Sequence, residues 1–311
     1  MSDPRLTPSN GRVAHTSLRG RVDAEVFTDG HLAFAGAPVV DLLDAPMGAR
    51  QCQLLFGEPF RVLDEEEDAF HAFGYREADG YVGWVSKSGL HGRGRQRSDV
   101  AEYRVCVPRA PMFDAPEIKT APGGDLWAGR LLSLGSRVWH RPLSQEARER
   151  DLRDAGWFVA REPTLKVDRW VYLRWSHVVP VDHVESDPAG VAERFLHTPY
   201  LWGGDSGHGM DCSGLVQRSL AACGIACPRD SDQQAAAFEV ASDPYRRGDL
   251  VFWERHVGIL LDAETLLHAN AHHMAVATEP LAEAVARIGA REFGAVTKVA
   301  RPGSPVSPRR G

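Results

Sequence analysis

Short apolar stretches separated by turn residues make up the chain from Ala37 to about residue 182. This pattern is typical of small β-domains, in which short strands alternate with turns. A weak internal repeat runs through it. The segment at 37–46 is echoed at 110–116, and the segment at 53–63 is echoed at 130–140. We therefore expect each half of this region to form its own set of strands.

Two consecutive small β-barrels explain this repeat most simply. They are predicted over residues 36–109 and 110–182, and the preceding residues 1–35 are predicted to be a leader that packs on them. A single larger sandwich is the alternative. It is less favoured because each half carries a full run of short strands of its own.

The pattern changes to helical spacing after the second predicted barrel. Pro188 suits the first turn of a helix, and Val191 and Phe195 follow at helical spacing. One or two further helices and a series of strands come next. Helices that precede an antiparallel sheet predict an α+β domain over 183–302, and the last residues, 303–311, are predicted to be a disordered tail.

The composition excludes several classes of protein. With 36 Lys plus Arg against 42 Asp plus Glu, the formal net charge is −6, and the chain lacks the surplus basic charge that nucleic-acid binding needs. The N-terminal segment lacks the basic start and apolar run of a secretory signal, and nothing later approaches the ~18 unbroken apolar residues of a membrane span. We therefore expect a cytoplasmic protein without a nucleic-acid or membrane partner; its oligomeric state is not predicted.

The five cysteines form a sparse, odd-numbered set, which argues against a disulfide framework. Cys223 and Cys227 have C-x3-C spacing but lack a second ligand pair at zinc-finger spacing, so no metal site is predicted. Packing as small apolar residues is the simplest interpretation of these two and of Cys52 and Cys106.

Cys212 differs from the other cysteines because a glycine-rich segment, 199–211, leads up to it. Leu215 and Leu220 lie on one face of a helix predicted to follow, and Asp211 is a natural N-cap for that helix. Cys212 then falls in the first turn, where the positive end of the helix dipole lowers a thiol pKa from ~8.5 towards neutrality. We therefore predict that Cys212 is a thiolate nucleophile.

Two histidines are predicted to supply the base and its partner. His256 begins one predicted strand, and His268 lies in the next one. If these strands are hairpin neighbours, the two histidines lie side by side in the sheet that faces the Cys212 helix. The prediction is Cys212 as nucleophile, His256 as general base and then acid, and His268 as the polar group that fixes the tautomer of His256. A core histidine with purely structural hydrogen bonds is the alternative for His268.

As an ordered set, these motifs resemble those of the NlpC/P60 family of bacterial cell-wall cysteine peptidases, a papain-like group. The shared motifs are PYLWGG at 199–204, Asp211-Cys212-Ser213-Gly214, GDLVFW at 248–253, and the stretches that begin His256-Val257-Gly258 and Leu267-His268-Ala269. They cover roughly residues 186–300, and the preceding repeat resembles tandem bacterial SH3-like domains. The resemblance implies a papain-like α+β domain behind two SH3-like β-barrels, a Cys-His-His triad and no cofactor.

The whole chain is similar to the cytoplasmic type of this family that recycles murein peptides. Members of that type cleave after γ-D-glutamate and release L-Ala-γ-D-Glu from the diamino acid that follows. The implied partner is therefore a small murein tri- or tetrapeptide with a free N-terminal L-Ala. The resemblance also implies that Tyr200 lies beside the nucleophile and stabilises the oxyanion together with the backbone N–H of Cys212.

Substrate contacts are predicted from the groups that must be held, since a free amine needs an anionic partner and a carboxylate needs donors. Asp211 and Ser213 are the candidates next to the nucleophile. The resemblance adds Asp230 for the amine and Arg229 or Ser231 for a carboxylate. The alternatives are local: Ser231 is also a good helix N-cap, and Arg229 is then merely solvated.

Two residues of the first predicted barrel complete the list of candidates. In the recycling type, this barrel walls one end of the cleft, so that only a free N-terminus fits. Glu58 and Tyr81 are the residues predicted to do so here, with packing inside the barrel as the alternative.

Two other functions stay open at this point. The chain is a peptidoglycan-binding module if its papain-like part is vestigial, which predicts no Cys212 thiolate near neutral pH. It is an acyltransferase or amidase if the acyl group goes to an acceptor other than water.

Overall fold

The structure is a computed structural model that describes residues 3–65, 70–91, 102–119, 131–133, 136–140, 146–163, 168–242 and 244–303. Its internal contacts divide the chain into two units, residues 1–182 and 183–311. The part of the predicted tail beyond Gly303 lies outside the described residues.

The predicted leader contains a two-stranded parallel sheet. Its strands are β1 (Val13–His15) and β2 (Val26–Thr28). Val13 packs with Leu63, Phe73 and Trp84 in a small apolar cluster. The leader therefore contributes apolar contacts to the sheet that follows it.

An antiparallel sheet of seven strands follows within the first unit. The strands are β3 (His31–Ala35), β4 (Val39–Leu43), β5 (Arg50–Leu55), β6 (Pro59–Asp64), β7 (His71–Arg76), β8 (Val82–Ser86) and β9 (Leu90–His91). Their order across the sheet is β5-β4-β8-β7-β6-β3-β9. Apolar residues alternate with partly exposed ones, as Val40 and Leu42 do in β4, and the inward residues form one core. Because β3 pairs with β6, the sheet begins at His31, before the predicted boundary at residue 36.

A second sheet with its own core occupies the rest of this unit. Its elements are β10 (Tyr103–Val105), β11 (Arg109–Pro111), β12 (Leu131–Ser133), β13 (Arg137–His140), α1 (Glu146–Asp154), β14 (Trp157–Pro163), β15 (Asp168–Arg174) and β16 (Val178–Pro180). Five strands pair in the order β15-β14-β13-β10-β16, and β11 pairs with β12. Strand β10 pairs with β13 and β16, so it belongs to this sheet although the sequence put it in the first barrel. Helix α1 was not predicted.

The second unit is an antiparallel sheet with helices packed on it. Its elements are α2 (Pro188–Glu193), β17 (Asp205–Ser206), β18 (Gly209–Met210), α3 (Cys212–Ala222), α4 (Ser231–Ala237), β19 (Glu239–Val240), β20 (Leu250–Trp253), β21 (His256–Leu260), β22 (Thr265–Asn270), β23 (Ala275–Pro280), α5 (Leu281–Arg291) and β24 (Lys298–Arg301). The six-stranded sheet has the order β19-β24-β20-β21-β22-β23. This is the predicted α+β architecture.

Two helices pack on the central strands of this sheet. Helix α3 lies against β21 and β22, which are antiparallel neighbours as the hairpin prediction required. Helix α5 buries Ala284 and Ile288 in a cluster with Val251 and Leu266 of the sheet. In the described part of the chain, no helix combines the length and the apolar character needed to cross a membrane.

Candidate active site

Helix α3 begins at Cys212 because Asp211 caps it. The Oδ1 atom of Asp211 accepts a hydrogen bond of 2.7 Å from the backbone N–H of Gly214, and Oδ2 accepts one of 2.9 Å from the N–H of Gly203. Gly203 has φ of +70°, a conformation that favours glycine. A Cβ atom on Gly214 would lie 2.4 Å from the carbonyl oxygen of Gly204, so the loop and the helix approach each other as closely as they do because both residues are glycines. The predicted cap and helix start are therefore present.

The guanidinium of Arg229 lies buried beneath this helix start, with only 1% of the residue exposed. It donates hydrogen bonds of 2.8 Å to Asp211 Oδ2 and 2.8 Å to Ser213 Oγ. Its Nε also donates to Asp205 Oδ2 at 3.2 Å. One cation thus faces two buried carboxylates next to the cysteine.

This cluster changes the interpretation of three predicted substrate contacts. Arg229 is not solvated, because its guanidinium is buried and paired inside the protein. Asp211 and Ser213 are buried as well, and their side chains bond to the helix start, the loop and Arg229. Both side chains are therefore engaged inside the protein.

The sulfur of Cys212 lies between α3 and β21. The backbone N–H groups of Val257 and Ser213 point towards it, and each acts to lower its pKa. Burial outweighs them, and together with the Asp211 carboxylate it raises the pKa of Cys212 to about 12. The predicted lowering of this pKa is therefore wrong: the favourable helix N-terminus is present, but desolvation and the neighbouring carboxylate dominate.

Tyr200 lies close enough to Cys212 for the two groups to interact electrostatically. Burial raises the pKa of the Tyr200 hydroxyl, and the nearby Cys212 and Asp211 raise it further. The phenol therefore stays protonated and can donate a hydrogen bond. Its backbone is fixed by a hydrogen bond of 2.9 Å from Tyr200 N–H to the carbonyl of Met274.

The two predicted histidines contact each other directly. A hydrogen bond of 2.8 Å joins His256 Nε2 to His268 Nδ1, and both residues are buried. Burial, followed by the neighbouring His268 and Arg287, lowers the pKa of His256 to about 3. Phe293 stacks on the His256 ring with centroids 5.4 Å apart. His256 therefore rests as a neutral imidazole, and its Nε2 atom is engaged with His268.

Two charged residues behind the histidines were not predicted. The Oε2 atom of Glu279 in β23 lies 3.6 Å from His268 Nε2. Arg287 in α5 donates to both oxygens of Glu279, each at 2.9 Å. Burial acts to raise the pKa of Glu279, but hydrogen bonds and charge from His268 and Arg287 lower it to about 2. The apolar spacing of Ala284 and Ile288 would have predicted α5, but nothing in the sequence pairs its arginine with this glutamate.

One group of potential metal ligands occurs among the described residues. The ligand atoms of His268, His273 and Glu279 lie within 4.8 Å of one another. The Arg287 guanidinium already occupies both oxygens of Glu279, so a metal ion there would have to replace a cation. The donor set is therefore better suited to the arginine than to a metal.

The stretch before α4 differs in detail from the prediction. Asp230 is the N-cap of α4, and Ser231 is the first helical residue. The Asp230 N–H donates to Gln233 Oε1 at 3.4 Å, which completes a capping box. Ser231 as N-cap is therefore wrong by one position, because the aspartate directly before it takes that role. Both residues stay partly accessible.

The two predicted contacts from the first sheet are buried within that sheet. Tyr81 is 2% exposed and belongs to the core of the sheet. Glu58 is also buried, and its Oε2 accepts a hydrogen bond of 2.9 Å from the N–H of Leu55, which stabilises a turn. Packing, the alternative given for both, describes them better than substrate contact.

A cysteine at a helix N-terminus, packed on an antiparallel sheet that supplies paired imidazoles, defines the papain-like class of fold. Residues 197–287 match the NlpC/P60 family, and residues 42–90 match the bacterial dipeptidyl-peptidase SH3 domain. The chain therefore contains an NlpC/P60 domain, which includes Cys212, His256 and His268, and a bacterial SH3 domain that precedes it. A second SH3 domain stays a prediction.

Several relatives match parts of the chain. The γ-D-glutamyl-L-lysine dipeptidyl-peptidase of Bacillus subtilis is 36% identical over 110 residues, which is 32% of this chain and 37% of that protein. The protein of the same name from Bacillus cereus is 25% identical over 248 residues, 74% of this chain and 70% of its own. The peptidoglycan endopeptidase RipB of Mycobacterium tuberculosis is 36% identical over 107 residues, which cover 44% of its length.

A solved structure shares the fold over most of the chain. It is an NlpC/P60 family protein from Bacillus cereus, with 19% identity and a TM-score of 0.67, and the match covers 87% of this chain and 99% of that one.

Proposed function

We propose that this protein is a cysteine endopeptidase that hydrolyses the γ-D-glutamyl–diamino acid bond of murein tri- or tetrapeptides with a free N-terminal L-Ala. One observation carries the proposal: the buried His256–His268 pair, joined at 2.8 Å, lies on the strands against which the Cys212 helix packs. The names of the two Bacillus relatives support the choice of bond. The expected cytoplasmic location still rests on the sequence alone.

The chemistry starts from a neutral pair, because the pKa of Cys212 is raised and that of His256 is lowered. His256 Nδ1 takes the thiol proton while the sulfur bonds to the γ-carbonyl carbon of D-Glu. The oxyanion that forms accepts hydrogen bonds from the Cys212 backbone N–H and from the Tyr200 hydroxyl. General-base assistance of this kind contributes ~10²–10⁴ to the rate.

Two proton transfers through His256 complete the turnover. The imidazolium gives its proton to the departing amine of the diamino acid as the C–N bond breaks, and a thioester remains on Cys212. Neutral His256 then takes a proton from water, whose oxygen attacks the thioester carbon. The C–S bond breaks, the thiolate regains the proton, and L-Ala-γ-D-Glu leaves.

Recognition of the free amine is assigned to Asp230. Its carboxylate is partly accessible and lies at the start of α4, one residue from Arg229 of the cluster under the nucleophile. An ammonium–carboxylate pair there holds the L-Ala end of the peptide. Ser231, also partly accessible, supplies a hydroxyl donor for the D-Glu α-carboxylate.

Replacing the nucleophile tests this function. We expect Cys212→Ala to lower release of L-Ala-γ-D-Glu from L-Ala-γ-D-Glu-diaminopimelate by about 10³-fold or more, because no covalent intermediate forms. Chromatography of the products measures the loss. Cys106→Ala is the matched control, since Cys106 is also a partly accessible thiol outside any disulfide, and it should keep full activity.

Three outcomes separate the functions that the sequence left open. Undiminished turnover by Cys212→Ala rules out the thiol mechanism. A wild-type protein that binds peptidoglycan but cleaves no peptide supports a vestigial domain. The absence of a thiolate does not by itself support a vestigial domain, because a neutral thiol beside a base still reacts. Transfer of the dipeptide to an added amine in preference to water identifies an acyltransferase.

A further inference from the structure

We propose that Glu279 fixes the proton positions on both active-site histidines, and that Arg287 holds Glu279 in place for this purpose. Glu279 is then a positioning residue that acts on the nucleophile through two imidazoles. The catalytic part of this inference rests on the proposed function, whereas the proton positions themselves do not.

His268 is enclosed so completely that few groups can set its tautomer. The residue is 0% exposed, and its Nδ1 atom is bonded to His256. Its Nε2 atom has no hydrogen-bond partner within ordinary distance, and the nearest carboxylate oxygen is Glu279 Oε2 at 3.6 Å. This distance is long for a hydrogen bond, but contacts in unliganded active sites often tighten when substrate binds.

The proton positions follow from the order of the groups. A neutral imidazole has one N–H donor and one acceptor nitrogen. An ionised Glu279 only accepts, so it favours the His268 tautomer with the proton on Nε2. The Nδ1 atom of His268 is then an acceptor, and His256 must donate to it from Nε2. His256 Nδ1 is consequently left with a lone pair, which is what a base facing a thiol needs.

The Arg287 cation keeps Glu279 ionised, and polar contacts around the carboxylate hold it in place. One guanidinium nitrogen of Arg287, Nη2, donates to both oxygens of Glu279 and holds the carboxylate towards α5. His273 Nδ1 lies 3.4 Å from Glu279 Oε1, and Glu292 shares the Arg287 guanidinium from the other side. The side chain of Glu279 is only 10% exposed, so water competes little for these contacts.

Glu279→Gln keeps the shape of the side chain but reverses the proton positions expected on the two histidines. An amide can direct its NH₂ at His268 Nε2, which makes that nitrogen an acceptor and moves the proton to Nδ1. His256 Nε2 must then accept, and its proton moves to Nδ1, where it faces the sulfur and cannot take the thiol proton. We expect kcat to fall by about 10²-fold or more, the size of a lost general base, with KM within about twofold of wild type.

The direct readout is two-bond ¹H–¹⁵N correlation spectroscopy of the full-length protein labelled at its histidines. Wild type should show His256 and His268 protonated at Nε2, and Glu279→Gln should show both protonated at Nδ1. Glu283→Gln removes a charge from an exposed site on α5, the helix that carries Arg287, and should change neither the tautomers nor kcat. A purely structural role for Glu279 would leave the tautomers unchanged.

Arg287→Lys is a second test of the proposal, to be used if Glu279→Gln does not fold. It retains the charge but loses the planar guanidinium whose two terminal nitrogens contact Glu279 and Glu292, and we expect a loss of kcat of about tenfold with a mixture of tautomers. The proposal is overturned if a folded Glu279→Gln, or failing that Arg287→Lys, keeps the wild-type tautomers and kcat. If wild type cleaves no murein peptide, the proposed function fails, and the tautomers still test Glu279.

Discussion

The thiol of Cys212 is subject to two opposing influences. The N-terminus of α3 and the N–H groups of Ser213 and Val257 favour the thiolate. Burial and the Asp211 carboxylate favour the thiol, and they prevail. Asp211 acts on both sides, because the same carboxylate that caps the helix places a negative charge beside the sulfur. In the proposed mechanism, Cys212 is therefore activated when His256 removes its proton, and it does not rest as a thiolate.

Titration of the thiol checks this state. A pKa raised to about 12 means that Cys212 stays almost fully protonated through the neutral and mildly alkaline range. The thiolate absorbance at 240 nm, taken as wild type minus Cys212→Ser, should therefore be flat from about pH 6 to 9 and rise only above this range, whereas an unperturbed thiol titrates near ~8.5. An increase in this absorbance between about pH 4 and 8, of the size expected for one thiolate, would instead indicate a thiolate–imidazolium pair.

The start of α3 depends on segments that are distant in sequence. The Asp211 cap is local, but Arg229 is 18 residues away and Asp205 lies 24 residues before that arginine. The arginine connects the β17 strand, the helix start and the beginning of α4. Because its charge is buried, this connection is stable only while both kinds of charge are present.

Arg229→Met tests the connection at similar side-chain volume. It removes the cation that faces two buried carboxylates, and we expect the free energy of unfolding to fall by about 3–5 kcal/mol at neutral pH. Acidification should shrink the loss, because the pKa of Asp211, already raised by burial, rises further without the arginine and the carboxylate becomes neutral. Urea denaturation of the full chain at several pH values measures both effects.

The exposed Arg291 offers the control for this experiment. Arg291→Met removes the same charge from the surface and should change the free energy of unfolding by no more than about 0.5 kcal/mol. Equal effects of the two substitutions, or a loss at Arg229 that grows on acidification, would contradict the role given to the buried cluster.

Some elements were predictable and others were not, for a physical reason. The start of α3 and the β21–β22 hairpin follow from a capping residue and from apolar strands, which are local signals. The boundaries near residues 36 and 109 were misplaced because β3 and β10 pair with strands far along the chain. Such pairing depends on tertiary packing rather than on neighbouring residues.

The whole molecule joins an SH3-containing unit to the NlpC/P60 domain. Glu58 and Tyr81 of the first unit are buried inside their own sheet. Selection for a free N-terminus therefore falls, in our proposal, to Asp230 in the second unit. In this assignment, the substrate ammonium group is recognised by one ion pair, with the Asp230 carboxylate.

Blocking the substrate amine tests this assignment. N-acetyl-L-Ala-γ-D-Glu-diaminopimelate should show a kcat/KM about 10- to 100-fold lower than the free tripeptide, the size of one lost charge-assisted contact. Asp230→Asn should bring the two substrates closer together by lowering the rate for the free amine only. Glu239→Gln, an exposed charge beyond α4, should leave the ratio unchanged. An unchanged ratio in Asp230→Asn would move the recognition of the amine elsewhere.

The sequence alone determined that a cysteine opens a helix after a glycine-rich loop and that two histidines lie on neighbouring strands, because capping and strand periodicity act between residues close along the chain. Tertiary structure decided the protonation state of Cys212, the burial of Arg229 between two aspartates, and the placement of Glu279 and Arg287 behind His268. Desolvation and long-range ion pairs depend on which distant segments meet, so they arise only when the sheet and its helices are assembled.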